Sequence, residues 1–341
     1  MADDGTRAGW RLIAHYTVGG FILAASLAMA ASVQALDIQG HRGARGLAPE
    51  NTLPAFARAL SLGVTTLELD CAVTRDGVVV VSHDPALNPD LTRTPDGKWL
   101  AGPGPRIREL TYEQLQRYDV GRVRPDTAYA RRFPDQRPVD GTRIPRLADV
   151  FELVRKSGNG AVRFNIETKI SPLAPEMTTD PEDFTRRLIA AVRSAGMEER
   201  TVIQSFDWRT LAIVQKEAPS IPTVHLSAQQ DFMNNIEGGR RSSRWTAGLH
   251  VSRFGGSIPR MVKAAGGAVW SPYYRELTPE SAKEARGLGL KVVPWTVNSA
   301  EDMKRLIEWG VDGIISDRPD ILRKVAGDMK IALPAPTPVA P

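Results

Sequence analysis

The chain has 341 residues, 42% hydrophobic and 24% charged, a balance that supports a large core and excludes disorder over most of its length. Its single cysteine, Cys71, excludes an intramolecular disulfide framework and a multi-cysteine zinc site, so packing must supply the stability. A formal charge of +5 without a dense basic run interleaved with aromatics suits phosphate-bearing small molecules or weak attachment to an anionic membrane surface, and not nucleic acid.

At the N-terminus, Arg7 and Arg11 precede the apolar run "VGGFILAASLAMAASVQA", which ends with Val33 and Ala35 at a small-residue cleavage position. Residues 1–35 therefore read as an export signal, predicting a periplasmic or secreted protein. The rival is an uncleaved N-terminal membrane anchor, since roughly 17 apolar residues is the lower limit for crossing a bilayer. At the other end, residues 329–341 carry the proline and alanine text "LPAPTPVAP", expected to be a disordered tail.

Between these ends, over 36–328, short β-type runs alternate with amphipathic helical patterns, the signature of βα units around a parallel sheet. The predicted strands are 37–41, 65–70, 162–168, 201–206, 223–227, 268–272, 291–297 and 312–317. Helical text follows most of them, as in "LPAFARALSLG", "PEDFTRRLIAAVRSAG" and "AEDMKRLIEWG", often closed by a glycine. Eight units predict a (β/α)8 TIM barrel, with a doubly wound open sheet as the alternative. The pattern breaks once, after the second strand: about 85–145 is rich in proline, glycine, aspartate and arginine and reads as an irregular insertion over one face of the barrel.

In such a barrel the chemistry belongs at the C-terminal strand ends. His41 and Arg42 end the first strand; Glu68 and Asp70 share one face of the second; His83 follows the valines of "DGVVVVSHDP"; Glu167 and Lys169 end the third. Like charges on a buried strand repel unless neutralised, and a divalent cation held by Glu68, Asp70 and Glu167 resolves the conflict. An all-oxygen donor set favours Mg²⁺ or Ca²⁺ over zinc. The structural alternative is an ion-pair network of these acids with Arg42 and Lys169. His41 and His83, with pKa values near neutrality, can serve as base and acid or as hydrogen-bond partners of the acids. His225 and His250 receive no role.

The motifs "HRGARGLAPENTLPAF", "LELD", "SHDP", "NIETK", "QSFD", "PWTVN" and "GVDGIISDRP", in that order over about 38–325, resemble those of the glycerophosphodiester phosphodiesterase family. "FPDQRPVDGTRIPRLADVF" resembles the longer insertion of exported bacterial members. The resemblance implies His41 as base and His83 as acid, Glu68, Asp70 and Glu167 as ligands of one divalent cation, and Arg42 and Lys169 facing the phosphate. It further implies Phe206 and Trp295 as an apolar wall for the glycerol carbons, or else as core aromatics at the barrel mouth. Glu50 of "PENT" is expected to act structurally or near a helix cap.

The implied reaction is metal-assisted hydrolysis of glycerophosphodiesters, such as glycerophosphocholine or glycerophosphoethanolamine, to glycerol 3-phosphate and an alcohol. The attacking oxygen comes from water or from the neighbouring glycerol hydroxyl. The alternative is a lipid-directed phosphodiesterase of the same barrel type acting on lysophospholipid or sphingolipid head groups. An exported binding protein that lost the chemistry is disfavoured by the presence of both histidines and all three acids.

Overall fold

The computed structural model describes residues 35–341, so the predicted export signal, and His15 with it, lies outside the described residues except for Ala35. Eight parallel strands form the frame: β1 (Asp37–Gly40), β2 (Thr66–Val73), β3 (Arg163–Thr168), β4 (Thr201–Ser205), β5 (Thr223–Ser227), β6 (Val269–Pro272), β7 (Lys291–Val292) and β8 (Gly313–Ser316). Each is followed by a helix: α1 (Leu53–Leu62), α2 (Leu147–Lys156), α3 (Pro181–Ser194), α4 (Trp208–Glu217), α5 (Ile258–Ala264), α6 (Pro279–Gly287), α7 (Ala300–Glu308) and α8 (Pro319–Asp328).

The strands pair in the order β7-β6-β5-β4-β3-β2-β1-β8. The open-sheet alternative fails because the two outer strands meet. Asp312 N donates to Val292 O at 2.8 Å, Ile315 N to Pro294 O at 3.0 Å and Val297 N to Ile315 O at 3.0 Å. The seventh strand was expected over 291–297, but regular pairing ends at Val292, two residues before Pro294, which has no N–H to donate. Pairing continues around the proline through Val293 N to Trp270 O and Trp295 N to Pro272 O.

Strand alternation sorts the side chains. Leu67, Leu69 and Cys71 of β2, Phe164 and Ile166 of β3 and Ile203 of β4 face outward into the layer shared with the helices. The intervening residues Glu68, Asp70, Asn165, Glu167 and Gln204 are thereby turned into the barrel. There Asn165 Nδ2 donates to Gln39 Oε1 at 2.9 Å and to Gln204 Oε1 at 3.0 Å, while Val224, Val269, Val293 and Ile315 pack together in the same interior. One half of the barrel lumen is therefore polar and the other apolar.

The insertion is built on β2. Val79–Val81 turns back antiparallel to Cys71–Val73, and Ala72, Val80, Leu87, Ile107, Leu115 and Ile144 form a small core of their own. A short helix at Tyr112–Leu115 contributes Leu115 to this core, and a second lies at Ala128–Arg132. The tail was expected to be a disordered end, and the structure differs. Residues 331–341 take no regular secondary structure, yet Thr337 N donates to Leu60 O at 2.9 Å, Asn159 Nδ2 to Thr337 Oγ1 at 3.1 Å and Arg323 to Pro334 O at 2.9 Å. Prolines cannot join a ladder, but their carbonyls still accept, and Val339 packs on the main core. Among the described residues, no helix is long and apolar enough to cross a membrane.

Because the insertion has its own core, truncating Leu115, which is fully buried, should loosen it before the barrel. Leu115→Ala is expected to speed tryptic cleavage within 85–145 by roughly 30-fold or more, with little change in the barrel's unfolding midpoint. A matching fall in the midpoint would mean that insertion and barrel unfold as one unit.

Candidate active site

The C-terminal strand ends converge on a cleft of about 670 Å³ lined by His41, Arg42, Glu68, His83, Glu167, Lys169, Phe206 and Trp295, among others. The first loop is shaped for this convergence. Gly43 has φ 86°, and a Cβ there would sit 2.7 Å from the Ala55 backbone, so only glycine lets the loop lie against α1. Arg42 and Asn51 also take positive φ, 50° and 55°, a local cost of order 1–3 kcal/mol each that the surrounding contacts must offset. The gain is visible: Arg42 N donates to Glu68 Oε2 at 2.8 Å, and Asn51 Nδ2 donates to Asp70 Oδ2 at 2.8 Å.

Glu68, Asp70 and Glu167 are all buried, and each offers an oxygen within 4.8 Å of the other two. Register explains this closeness, because Asp70 and Glu167 are direct partners across β2 and β3. Cations surround them. Arg42 Nε lies 3.2 Å from Asp70 Oδ2, and Lys169 Nζ lies 2.9 Å from Glu167 Oε1 and 3.8 Å from Asp70 Oδ1. Burial, then the neighbouring Asp70, pushes Glu68 well above the usual carboxylate range. Burial likewise lifts Glu167 to about 7, with Asp70 adding to the rise and Lys169 opposing it. Burial would raise Asp70 too, but Arg42, His83 and Lys169 outweigh it and hold that acid low.

The ion-pair network weighed from the sequence is therefore present, and it is incomplete. Asp70 Oδ1 is buried without a hydrogen-bond partner, and two of the three acids resist ionisation. An orphaned oxygen beside two further oxygen donors is what a hard divalent cation would satisfy, so the residues fit such an ion.

His41 Nδ1 lies 2.6 Å from Asp317 Oδ1. Burial would raise Asp317, but Arg45 and His41 hold it well below the usual range, so it is ionised and can only accept. The imidazole proton therefore sits on Nδ1, leaving the Nε2 lone pair 3.9 Å from Glu68 Oε2. Burial, then Arg45, lowers His41 to about 4, so this ring is neutral at pH 7. His83, half-buried at the mouth, places Nδ1 2.7 Å from Asp84 Oδ1, and Asp84 is steadied by Asn88 Nδ2 at 2.6 Å. Burial, then the Arg42 and Lys169 charges, lowers His83 as well.

All nine residues singled out in the sequence line this cleft or touch those that do, but several partners were not assigned from sequence. Asp317 and Gln204 stood in the quoted motifs "ISDRP" and "QSFD" with no role given. Asp317 binds His41, and Arg45 in a two-point contact of 2.8 and 3.0 Å; Gln204 Nε2 donates to Glu68 Oε1 at 2.6 Å. Only the tertiary fold could reveal Tyr129, which reaches from the insertion and donates its hydroxyl to Glu50. Glu50 stands two residues before the helix cap: Thr52 caps α1, accepting from Ala55 N, while Glu50 Oε1 accepts from Arg42 at 2.7 Å. Arg42 is thus committed on two sides to acids, Glu50 and Asp70, as well as lining the cleft. Phe206 and Trp295 meet edge to face at 5.2 Å on the cleft wall. His225 packs against Trp208 at 4.8 Å, and His250 caps a short turn through Ser252 N; neither lines this cleft.

A parallel barrel whose mouth gathers two imidazoles, a carboxylate triad and flanking cations is the layout of a hydrolase for anionic esters. Residues 41–321 match the glycerophosphoryl diester phosphodiesterase family, and the chain belongs to that family, an enzyme hydrolysing glycerophosphodiesters. A glycerophosphodiester phosphodiesterase of Caldanaerobacter subterraneus is 31% identical over 83% of this chain and 94% of its own. A crystal structure from Silicibacter pomeroyi, assigned to glycerophosphoryl diester phosphodiesterases, superposes with TM-score 0.78 at 37% identity, covering 88% of this chain and 95% of that one. A phosphodiesterase of Oleispira antarctica, in complex with the product sn-glycerol-3-phosphate, shares the fold at TM-score 0.62 and 19% identity over 86% and 97% of the two chains.

The raised acid has a measurable consequence. Between about 4.5 and about 7, unfolded chain has already released the Glu167 proton that the cation-free folded protein still holds. The unfolded state then binds fewer protons, so this group's contribution to stability falls as pH rises through that window, by roughly 3 kcal/mol at most. Denaturant unfolding in EDTA at both ends of the window should show the fall in wild type and lack it in Glu167→Gln. Added Mg²⁺ or Ca²⁺ should remove it from wild type.

Proposed function

We propose that hydrolysis runs by two-histidine acid–base catalysis with one divalent cation, Ca²⁺ or Mg²⁺, on glycerophosphodiesters such as glycerophosphocholine and glycerophosphoethanolamine. The observation that carries it is the Asp317–His41 contact, which leaves a neutral imidazole with its free Nε2 turned toward the acid triad. Glu68, Asp70 and Glu167 would hold the cation, which when bound supplies positive charge to a non-bridging phosphate oxygen.

The remaining steps belong to the chain. Lys169 and the outer edge of Arg42 face the phosphate and offset the charge that grows on it. His41 Nε2 takes the proton of the attacking oxygen as that oxygen bonds to phosphorus; water gives glycerol 3-phosphate directly, whereas the substrate's own glycerol hydroxyl gives a cyclic phosphate that a water molecule then opens to glycerol 3-phosphate. The bond to the alcohol oxygen breaks, and that oxygen leaves with the proton of His83. Asp84 keeps the His83 ring oriented, and the arriving phosphodiester anion raises the affinity of His83 for its proton. Phe206 and Trp295 offer the glycerol carbons an apolar wall. The product bound in the Oleispira relative supports glycerol 3-phosphate as the retained half.

Glycerol 3-phosphate release from glycerophosphocholine, followed with EDTA, with each metal added back and in variants, tests this. His41→Ala and His83→Ala should each lower kcat by about 10²- to 10⁴-fold, and chelation should abolish release until one ion restores it. Release unaffected by EDTA, or by loss of either histidine, would sink the mechanism. The N-terminal text supports export as the setting, so the mature protein should begin at Leu36, which N-terminal sequencing of protein recovered outside the cytoplasm would read.

A further inference from the structure

Beside the catalytic cleft lies a second cavity of about 540 Å³, walled by Ile170, Leu173, Met177, Phe206, Phe232 and Trp245. The two share His83, Asp84, Glu167, Lys169, Phe206, Phe232 and Met233, so they are continuous across the reacting groups. Leu173 (53% exposed) and Phe232 (64%) are two of the few large hydrophobic side chains left open to solvent among the described residues, and both stand on this rim.

Phe232 is placed, not stray. It occupies the two-residue turn between Gln229–Gln230 and Met233–Asn234, which pair antiparallel. Glu276 Oε1 accepts from Gln229 N at 2.7 Å and from Gln230 Nε2 at 2.6 Å, tying this hairpin to the loop after β6, and the Phe232 ring rests on Tyr273 at 5.4 Å. Resting on the reading of His83 as the acid, we propose that this cavity takes the leaving alcohol, and that the enzyme prefers glycerophosphodiesters whose alcohol is a bulky apolar group over that of ethanolamine.

Three observations carry it. The leaving oxygen must meet His83, and His83 lines both cavities, so the substituent on that oxygen continues into the second one. The volume falls in the range of about 300–1,000 Å³ that encloses drug-sized ligands, and a group as small as ethanolamine would leave most of it empty. Finally, no buried acid is free to hold an ammonium: Asp84 is bonded to His83 and Asn88, Glu167 to Lys169 and Glu237 to Arg240, while Asp231 is exposed. Ile170, Leu173, Met177, Phe232 and Trp245 offer an alcohol apolar contact.

The test is a series of sn-glycerol-3-phosphate esters of ethanol, butanol, hexanol and octanol, with glycerophosphoethanolamine alongside, each assayed for glycerol 3-phosphate release by the mature protein. We expect kcat/KM to rise about fourfold per buried methylene until the cavity is filled, and to exceed that of glycerophosphoethanolamine for the longer esters. Leu173→Ser and Phe232→Ser, at exposed positions that put no core at risk, should flatten the rise, lowering the octyl ester at least tenfold more than the ethyl ester. Hydrolysis of every ester with no dependence on chain length, or an equal slope in both variants, overturns the proposal while leaving the reaction intact. In a parallel set of glycerophosphoethanolamines acylated on glycerol with chains of rising length, a dependence on chain length seen there and not in the ester series overturns it too, because the apolar group then lies on the other side of phosphorus. No release from any ester, glycerophosphoethanolamine included, overturns the reading of the reaction and the cavity's role together.

Discussion

Three largely buried carboxylates held within 4.8 Å of one another are the constraint on which the rest of this site depends. Such a cluster repels itself, and in a low-dielectric interior that repulsion is strong. The surroundings are arranged around it. Arg42 and Lys169 bring positive charge to Asp70 and Glu167, Glu50 and Tyr129 hold Arg42 from behind, and the Arg42 amide and Gln204 each spend a donor on Glu68. The two non-glycine residues of the first loop with positive φ, Arg42 and Asn51, are those that aim donors at the cluster.

The barrel makes such an arrangement affordable by rigidity. Outward-facing Leu67, Leu69, Phe164 and Ile166 anchor β2 and β3 in the helix layer, which leaves their alternate residues no freedom but to face one another inside. Carboxylates displayed on loops would move apart to relieve their repulsion; on paired strands they cannot. A second acid, Asp317 at the end of β8, is held in the same way, caught between Arg45, Asn298 and His41. The contact of Asp317 with His41 joins the last strand to the first, which pair side by side.

The insertion shows a different logic. It carries a small core of its own and lends Tyr129 and Arg132 to the cleft, so a segment with irregular text is structurally part of the mouth. The turn bearing Phe232 and the loop bearing Leu173 extend that mouth sideways. Variation in the turn bearing Phe232 and the loop bearing Leu173 can alter what the cleft admits without touching the acids, which β2 and β3 hold, or the histidines, which Asp317 and Asp84 orient.

The eight strands and their inward and outward faces were legible because period-2 alternation and glycine-ended helices are local properties of the text; seven of the nine site residues followed from their places on or just after strands, while Phe206 and Trp295 came only with the resemblance of the motifs. The text also contained Asp317, Gln204, Glu50 and Tyr129, but nothing local marks a partner 276 residues away, the separation of His41 from Asp317. The sequence by itself determined the barrel, the donor types and their face of each strand. Tertiary structure alone decided which acid holds which base, that Glu50 holds Arg42, that the tail lies against α1, and that the cleft opens into a side cavity. The physical reason is that alternation and helix capping act over a few residues, whereas hydrogen-bond partners and cavities are set by how distant strands and loops meet.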